Sequence, residues 1–283
     1  MVFQEIKPNL PLRPYINCFW YYDESQKESA LIKERVIPNG CMELIFHLGD
    51  RVIRSTSSTS GSNPRFNFVG QKTSAYFIQP TGSTRMFGIR FFPHTTTFLI
   101  PVPLAELTNQ VLPLDTIFGS SINQLSQQIY NLQTPEQIVP IVTKFLLNHL
   151  STYEMTYNHQ RVELVVRKIL KSRGGVRIDV LAQKMDISCR YLELIFKEFT
   201  GISPKLFSRI TQFQTIFELI NQQPTLNLTQ LAYLNNYADQ AHFTRTCKQF
   251  TGVSPKHFLT ESRPMIQNFV KEGSLSYFFN LGN

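Results

Sequence analysis

The stretch "LAQKMDISCRYLELIFKEFTGISPKLF", Leu181 to Phe207, is answered by "LAYLNNYADQAHFTRTCKQFTGVSPKHF", Leu231 to Phe258. Their closing phrases, "FTGISPKLF" from Phe199 and "FTGVSPKHF" from Phe250, lie 51 residues apart. Each copy opens with Leu-Ala on a short helical segment. In the first, a helix over about Ile178 to Met185 is followed by the polar turn "DIS", and Ser188 is placed to cap a second helix from Cys189 to Phe199. In the second, Asn227 and Gln230 form a capping-box pair, Asn235-Asn236-Tyr237 make the turn, and Asp239 caps "QAHFTRTCKQF". Short helix, tight turn, second helix is the helix-turn-helix pattern.

The repeated Thr-Gly-(Ile/Val)-Ser-Pro is read as punctuation. Gly201 and Gly252 permit a left-handed helix end, and Ser-Pro starts the next helix. Between the copies a helix begins at Ser203-Pro204 and runs to about Asn221, with Phe207, Ile210, Phe213, Phe217 and Ile220 as its apolar stripe. A helix of about 17 residues spans roughly 25 Å. With the width of the helix pairs added, the two second helices can stand roughly 34 Å apart, one turn of a DNA duplex. Upstream, Val162, Val165, Val166, Ile169 and Leu170 share a helical face from Arg161, and Gly174-Gly175 ends that helix.

Charge follows the same division. Residues 1–160 hold 12 Lys+Arg against 11 Asp+Glu, residues 161–263 hold 15 against 8, and the last 20 hold one of each, within a total of +8. A basic half beside a neutral half points to a polyanion-binding module joined to something else. A hydrophobic fraction of 42% and a charged fraction of 17% over 283 residues suit two folded domains. Neither a secretory signal nor a membrane span is expected, and the expected location is the cytoplasm. Cys18, Cys41, Cys189 and Cys247 are widely scattered and read as reduced, buried thiols without a zinc site.

Residues 161–260 resemble the DNA-binding domain of the AraC/XylS family of bacterial transcription regulators, on the two stretches quoted above. The resemblance implies a seven-helix domain with two helix-turn-helix units and a linking helix. By position it implies base-facing residues Arg190, Glu193 and Leu194 in the first recognition helix, and Gln240, Ala241, Thr244 and Arg245 in the second. The chemistry agrees: Arg donates twice to guanine, Gln pairs with adenine and Glu accepts from cytosine. Lys197 and Lys248 are expected phosphate contacts, and Lys205 and Lys256 add candidates at helix starts. Leu192, Phe243, Tyr191, Phe196 and Phe199 are read as core. Four residues depart from the family pattern: Leu194 replaces an Arg, Cys247 an aromatic, Asn236 a turn Gly, and Arg177 a Ser-type cap. The base preferences of other members therefore do not transfer.

The first 95 or so residues read as strands: "KERVIP", "CMELIFHLG", "RFNFVG", "AYFIQPTG" and "MFGIRFFP", separated by turns such as Pro38-Asn39-Gly40 and the loop "STSSTSGSN". Helices follow near Ser120–Asn131 and Pro135–Leu150. The polar region 151–160 is read as the boundary. The expected fold is an α+β domain over 1–155, β-barrel or sandwich-like with packed helices, an all-α domain over 156–264, and a tail over 265–283 carrying "SLSYFFNLGN".

The stretches "VIPNGCMELIFHLG" and "GIRFFP" resemble sensor domains found ahead of this DNA-binding module, which implies effector binding or dimerisation. Phe19, Trp20, Tyr21 and Tyr22 form an aromatic cluster that suits either core or pocket. Trp20, Glu43, His47, Arg90 and His94 are the candidate ligand residues. Ile117, Ile122, Leu125, Ile129 and Leu132 suit either a dimer contact or packing on their own sheet. The expected partners are double-stranded DNA, a small-molecule effector, a second copy of the chain, and RNA polymerase if the protein is an activator. No cofactor, metal or catalytic residue is expected, because neither a metal-binding His pattern, a nucleophile elbow nor a phosphate loop is present. Two rival readings stay open: an enzyme whose N-terminal barrel is localised by DNA-binding helices, with His47 and His94 as its test, and a general nucleoid-binding protein.

Overall fold

The computed structural model describes residues 2–24, 33–56, 60–100, 102–150 and 155–260. Among its described residues the N-terminal part contains ten strands: β1 Val2–Ile6, β2 Ile16–Asp23, β3 Glu34–Val36, β4 Glu43–His47, β5 Val52–Ser55, β6 Ser60–Ser62, β7 Phe66–Val69, β8 Tyr76–Pro80, β9 Arg85–Phe91 and β10 Val111–Pro113. They form two antiparallel sheets, one in the order β1-β2-β9-β4-β7-β10 and one in the order β3-β8-β5-β6. The described strands do not close into a barrel, so of the two expected forms the sandwich-like one holds. β1, β2, β5 and β10 are absent from the strands expected from sequence, and β6 and the end of β5 fall in the stretch expected to be a loop.

Side chains alternate across the six-stranded sheet because the strand period is two. Phe19, Tyr21, Leu44, Phe46, Phe87 and Ile89 face one way. There they pack against Ile122, Leu125 and Ile129 of α2 (Ser121–Tyr130), and Ile138, Val142 and Leu146 of α3 (Pro135–His149). A short helix, α1 (Asp115–Phe118), precedes them. Ile117 and Leu132 are half-buried in the same core. All five side chains considered for a dimer contact therefore pack inside their own domain. Cys18, Trp20, Tyr22 and Met86 face the other way, toward Tyr76 and Ile78 of the four-stranded sheet.

Seven helices follow among the described residues: α4 Tyr157–Lys171, α5 Ile178–Lys184, α6 Cys189–Thr200, α7 Pro204–Gln222, α8 Leu228–Leu234, α9 Gln240–Thr251 and α10 Pro255–Thr260. The first starts four residues before the apolar stripe suggested. Thr156 caps it, and His159 returns the bond in a capping box, so the region read as a polar boundary supplies the first turn. Val162, Val165, Val166, Ile169 and Leu170 are buried as expected. The apolar face of α7 is broader than its stripe, with Phe207, Ile210, Phe213, Ile216 and Phe217 all buried. Phe213 meets Phe217, Phe250 and Phe258 at ring-centroid distances of 5.9, 5.5 and 6.1 Å. Each fully buried Phe contributes roughly 1.5–3 kcal/mol, so α7 holds the helical domain together. Residues 265–283, read as a tail, lie outside the described residues.

Candidate nucleic-acid interface

The turns of the two helix-turn-helix units are built alike. In the first turn Asp186 takes φ +53°, and Ile187 N–H donates to the Ala182 carbonyl at 3.1 Å. In the second, Asn236 takes φ +58°, and Tyr237 N–H donates to the Ala232 carbonyl at 2.9 Å. A left-handed residue costs an ordinary side chain roughly 1–2 kcal/mol, and Asn or Asp bears it best. Asn236 thus does the work of the expected glycine. The second turn is also tied to α7, where Asn235 Nδ2 donates to the Gln212 carbonyl at 2.5 Å and Gln212 Nε2 donates to the Asn235 carbonyl at 2.9 Å.

Caps set where α6 and α9 begin and end. The Ser188 hydroxyl accepts from Tyr191 N–H at 3.1 Å, and the Asp239 carboxylate accepts from His242 N–H at 2.6 Å. Asn227 and Gln230 make the expected capping box at α8. Gly201 and Gly252 both take φ +81° and end the recognition helices, while Ser203 and Pro204 start α7. Arg177 supplies no cap to α5. Its guanidinium pairs instead with Asp179.

With both frames fixed, the outward faces carry the residues expected to meet DNA. Arg190, Glu193, Leu194 and Lys197 are exposed on α6, as are Gln240, Ala241, Arg245 and Lys248 on α9. Leu194 is 61% exposed. Thr244 is half-buried, and its hydroxyl donates to the Gln240 carbonyl at 2.8 Å. Gln240 Oε1 accepts from the Thr229 hydroxyl at 2.8 Å, a bond to α8 that the sequence reading did not anticipate. Lys205 and Lys256 are exposed in the first turns of α7 and α10. Leu192, Phe196, Phe199 and Phe243 are buried. Tyr191, grouped with them from sequence, is not. It is 39% exposed, and its hydroxyl bonds Asn158 at the start of α4. Cys189 is likewise exposed, whereas Cys18, Cys41 and Cys247 are buried, and all four are free thiols.

The candidate ligand residues divide into two groups. Glu43, His47, Trp20 and Arg90 sit at alternate positions of β4, β2 and β9 and share the sheet face toward the four-stranded sheet. There Arg90 Nε bonds Glu43 Oε1 at 2.6 Å, and its Nη1 bonds Glu5 Oε1 at 3.2 Å, with Arg90 almost fully buried. Burial drives the Glu5 carboxyl above its usual range, against the pull of Arg90. Both ring nitrogens of buried His47 lack a hydrogen-bond partner among the described residues, and burial, then the Arg65 charge, lowers its pKa to about 4. His94 lies elsewhere, beyond β9, within electrostatic reach of Glu163, Arg167 and His159. The structure does not bring His47 and His94 to a common site.

The geometry defines a class, proteins with two helix-turn-helix units held by one connecting helix. Residues 181–261 match the model of a helix-turn-helix domain, and residues 4–113 match a domain of unknown function (DUF6597). The Msm operon regulatory protein of Streptococcus mutans is 27% identical over 162 residues, 56% of this chain and 56% of that one. The chain therefore spans just over half the length of that relative. The probable transcription factor PqrA of Proteus vulgaris is 27% identical over 89 residues, 31% of this chain and 72% of that one. Among solved structures, ToxT from Vibrio cholerae is similar with a TM-score of 0.45 at 9% identity, over 91% of this chain and 96% of that one. Over residues 181–261 the chain carries a helix-turn-helix domain, and the Msm operon regulatory protein and PqrA are both named as regulators of transcription. No described helix is long and apolar enough to cross a membrane.

Proposed function

We propose that the chain is a sequence-specific, non-enzymatic regulator of transcription that acts in the cytoplasm, placing α6 and α9 in successive major grooves. In this reading residues 156–264 bind DNA, and residues 1–155 sense an effector or pair two chains. Arg190, Glu193, Leu194, Gln240, Ala241, Thr244 and Arg245 read bases, while Lys197, Lys248, Lys205 and Lys256 hold phosphates. The observation that carries it is the pair of matched frames: two helices with equivalent turns and C-caps, each presenting exposed arginine and lysine outward. Phosphate contacts would position the protein and base contacts would specify the site. An effector would act through unequal affinity for two arrangements of the protein. An activator of this kind would also contact RNA polymerase.

Selection of duplexes from random sequence by the full-length protein tests the reading. The expected product is a sequence with two recognised segments about one helical turn apart. Equal retention of random and selected duplexes at moderate salt would overturn it in favour of general nucleoid binding.

A further inference from the structure

The N-terminal part touches the helical domain at the ends of both recognition helices. At the end of α6, the Thr108 hydroxyl donates to the Gly201 carbonyl at 2.7 Å. At the end of α9, the Arg35 guanidinium donates to the Thr251 carbonyl. These are neighbouring positions of the repeated Thr-Gly phrase, one in each copy. Between them, Gln214 of α7 donates to the Pro38 carbonyl, and Cys41 is buried in the helical core. His159 of α4 completes the contact, stacked on Phe98 at 4.8 Å and tilted against Phe199 at 4.0 Å.

The two grips come from different sheets. Arg35 stands on β3 of the four-stranded sheet, where its guanidinium lies 4.6 Å from the Phe77 ring centroid. Thr108 precedes β10, and the next residue, Asn109, donates its N–H to the Gln71 carbonyl at 2.7 Å, just beyond β7 of the six-stranded sheet. Between the sheets lie Trp20, Cys18, Tyr22, Met86, Tyr76 and Ile78. A shift of one sheet on the other therefore moves Arg35 relative to Thr108. Carbonyls at a helix C-terminus carry the negative end of the helix dipole and are strong acceptors, so each grip holds a helix end by a group that helix leaves unsatisfied.

Building on the DNA-binding reading above, we propose that Arg35 and Thr108 are positioning residues that fix the separation of the two recognition helices. The packing of the two N-terminal sheets then sets which spacing of DNA segments the protein accepts. Helix α7 is one attachment between the helix-turn-helix units, and a single attachment leaves room to pivot. Arg35 and Thr108 add two more.

The test uses the full-length protein and the duplex it selects, together with derivatives carrying one base pair more or fewer between the two segments. Wild type is expected to prefer the selected spacing by about 10-fold or more, the scale of one misplaced contact. Arg35→Ala and Thr108→Val should cut that preference to about 3-fold or less, while Arg35→Lys and Thr108→Ser, which keep a donor, retain it. Two results would overturn the proposal: unchanged preference in both variants, or an equal loss of affinity at every spacing, which indicates support of the fold alone. Recovery of no specific duplex would instead remove the DNA-binding reading, and this inference with it.

Discussion

Trp20 of β2 lies against the backbone of Gly88, its partner across β9, so closely that a Cβ on Gly88 would fall 2.0 Å from the indole Cε2. The glycine is therefore a space requirement of the inter-sheet layer. Gly88→Ala should destabilise the protein by about 1–3 kcal/mol through overpacking. Because Trp20 is the sole tryptophan, its fluorescence reports this layer directly. A thermal melt and an emission spectrum check both effects, and an unchanged melt with unchanged emission would contradict the packing account.

The exposed arginines should separate base reading from phosphate holding. Arg190→Ala or Arg245→Ala is expected to cost about 1–3 kcal/mol of binding and to relax preference in one segment of the site. Lys197→Ala should weaken all duplexes alike and lower the salt slope by about one. Titrations of selected and scrambled duplexes at several salt concentrations distinguish the two patterns.

Asn236 holds a left-handed turn at φ +58°. Asn236→Val should lose about 1–2 kcal/mol, and more if the branched side chain distorts the turn. Asn236→Gly should be near neutral. Denaturant midpoints of the three proteins give the ranking, and a valine variant as stable as the parent would contradict it.

Acid should weaken the fold through two histidines. Burial is the main cause at both His47 and His94, and each folded-state pKa is lowered from 6.5 to about 4. Arg65 adds to the shift at His47. At His94, Arg167 and His159 add to it while Glu163 opposes them. Between those values the unfolded chain binds protons that the folded chain excludes, so stability falls as pH drops from 6.5 toward 4 and is level above 6.5. Each histidine contributes up to about 1.4 kcal/mol per pH unit. Urea midpoints from pH 7 to 4.5 measure the slope, and His47→Gln should flatten it.

The Arg90 pairs are buried, with the arginine side chain 7% exposed and Glu43 14%. Arg90→Ala should cost about 3–5 kcal/mol, because two carboxylates lose their counter-charge in a poorly hydrated layer. Adding Glu43→Gln should recover part of that loss, and a double-mutant cycle measures the coupling. Full additivity of the two substitutions would show that the pair does not interact.

How far the sequence could be read depended on how local the determinants were. Caps, turns and helix ends act within four residues, so Ser188, Asn227, Asp239, Gly201 and Gly252 announced their roles, and with them the double helix-turn-helix frame. The exposed faces of α6 and α9 followed from helical period alone. Strand β2 was harder: both its faces are buried, so "INCFWYYD" shows an apolar run with no alternation to mark it as a strand. Tyr191 was misjudged because an aromatic among core positions can still point outward and bond Asn158.

The sequence by itself determined the two recognition helices and the phrases that end them, since those depend on backbone conformation and neighbouring side chains. Only the tertiary structure decided what grips those ends. The Arg35 to Thr251 and Thr108 to Gly201 bonds join residues 216 and 93 positions apart. No periodicity encodes such pairs; they exist because two sheets and seven helices pack to bring them within hydrogen-bond reach.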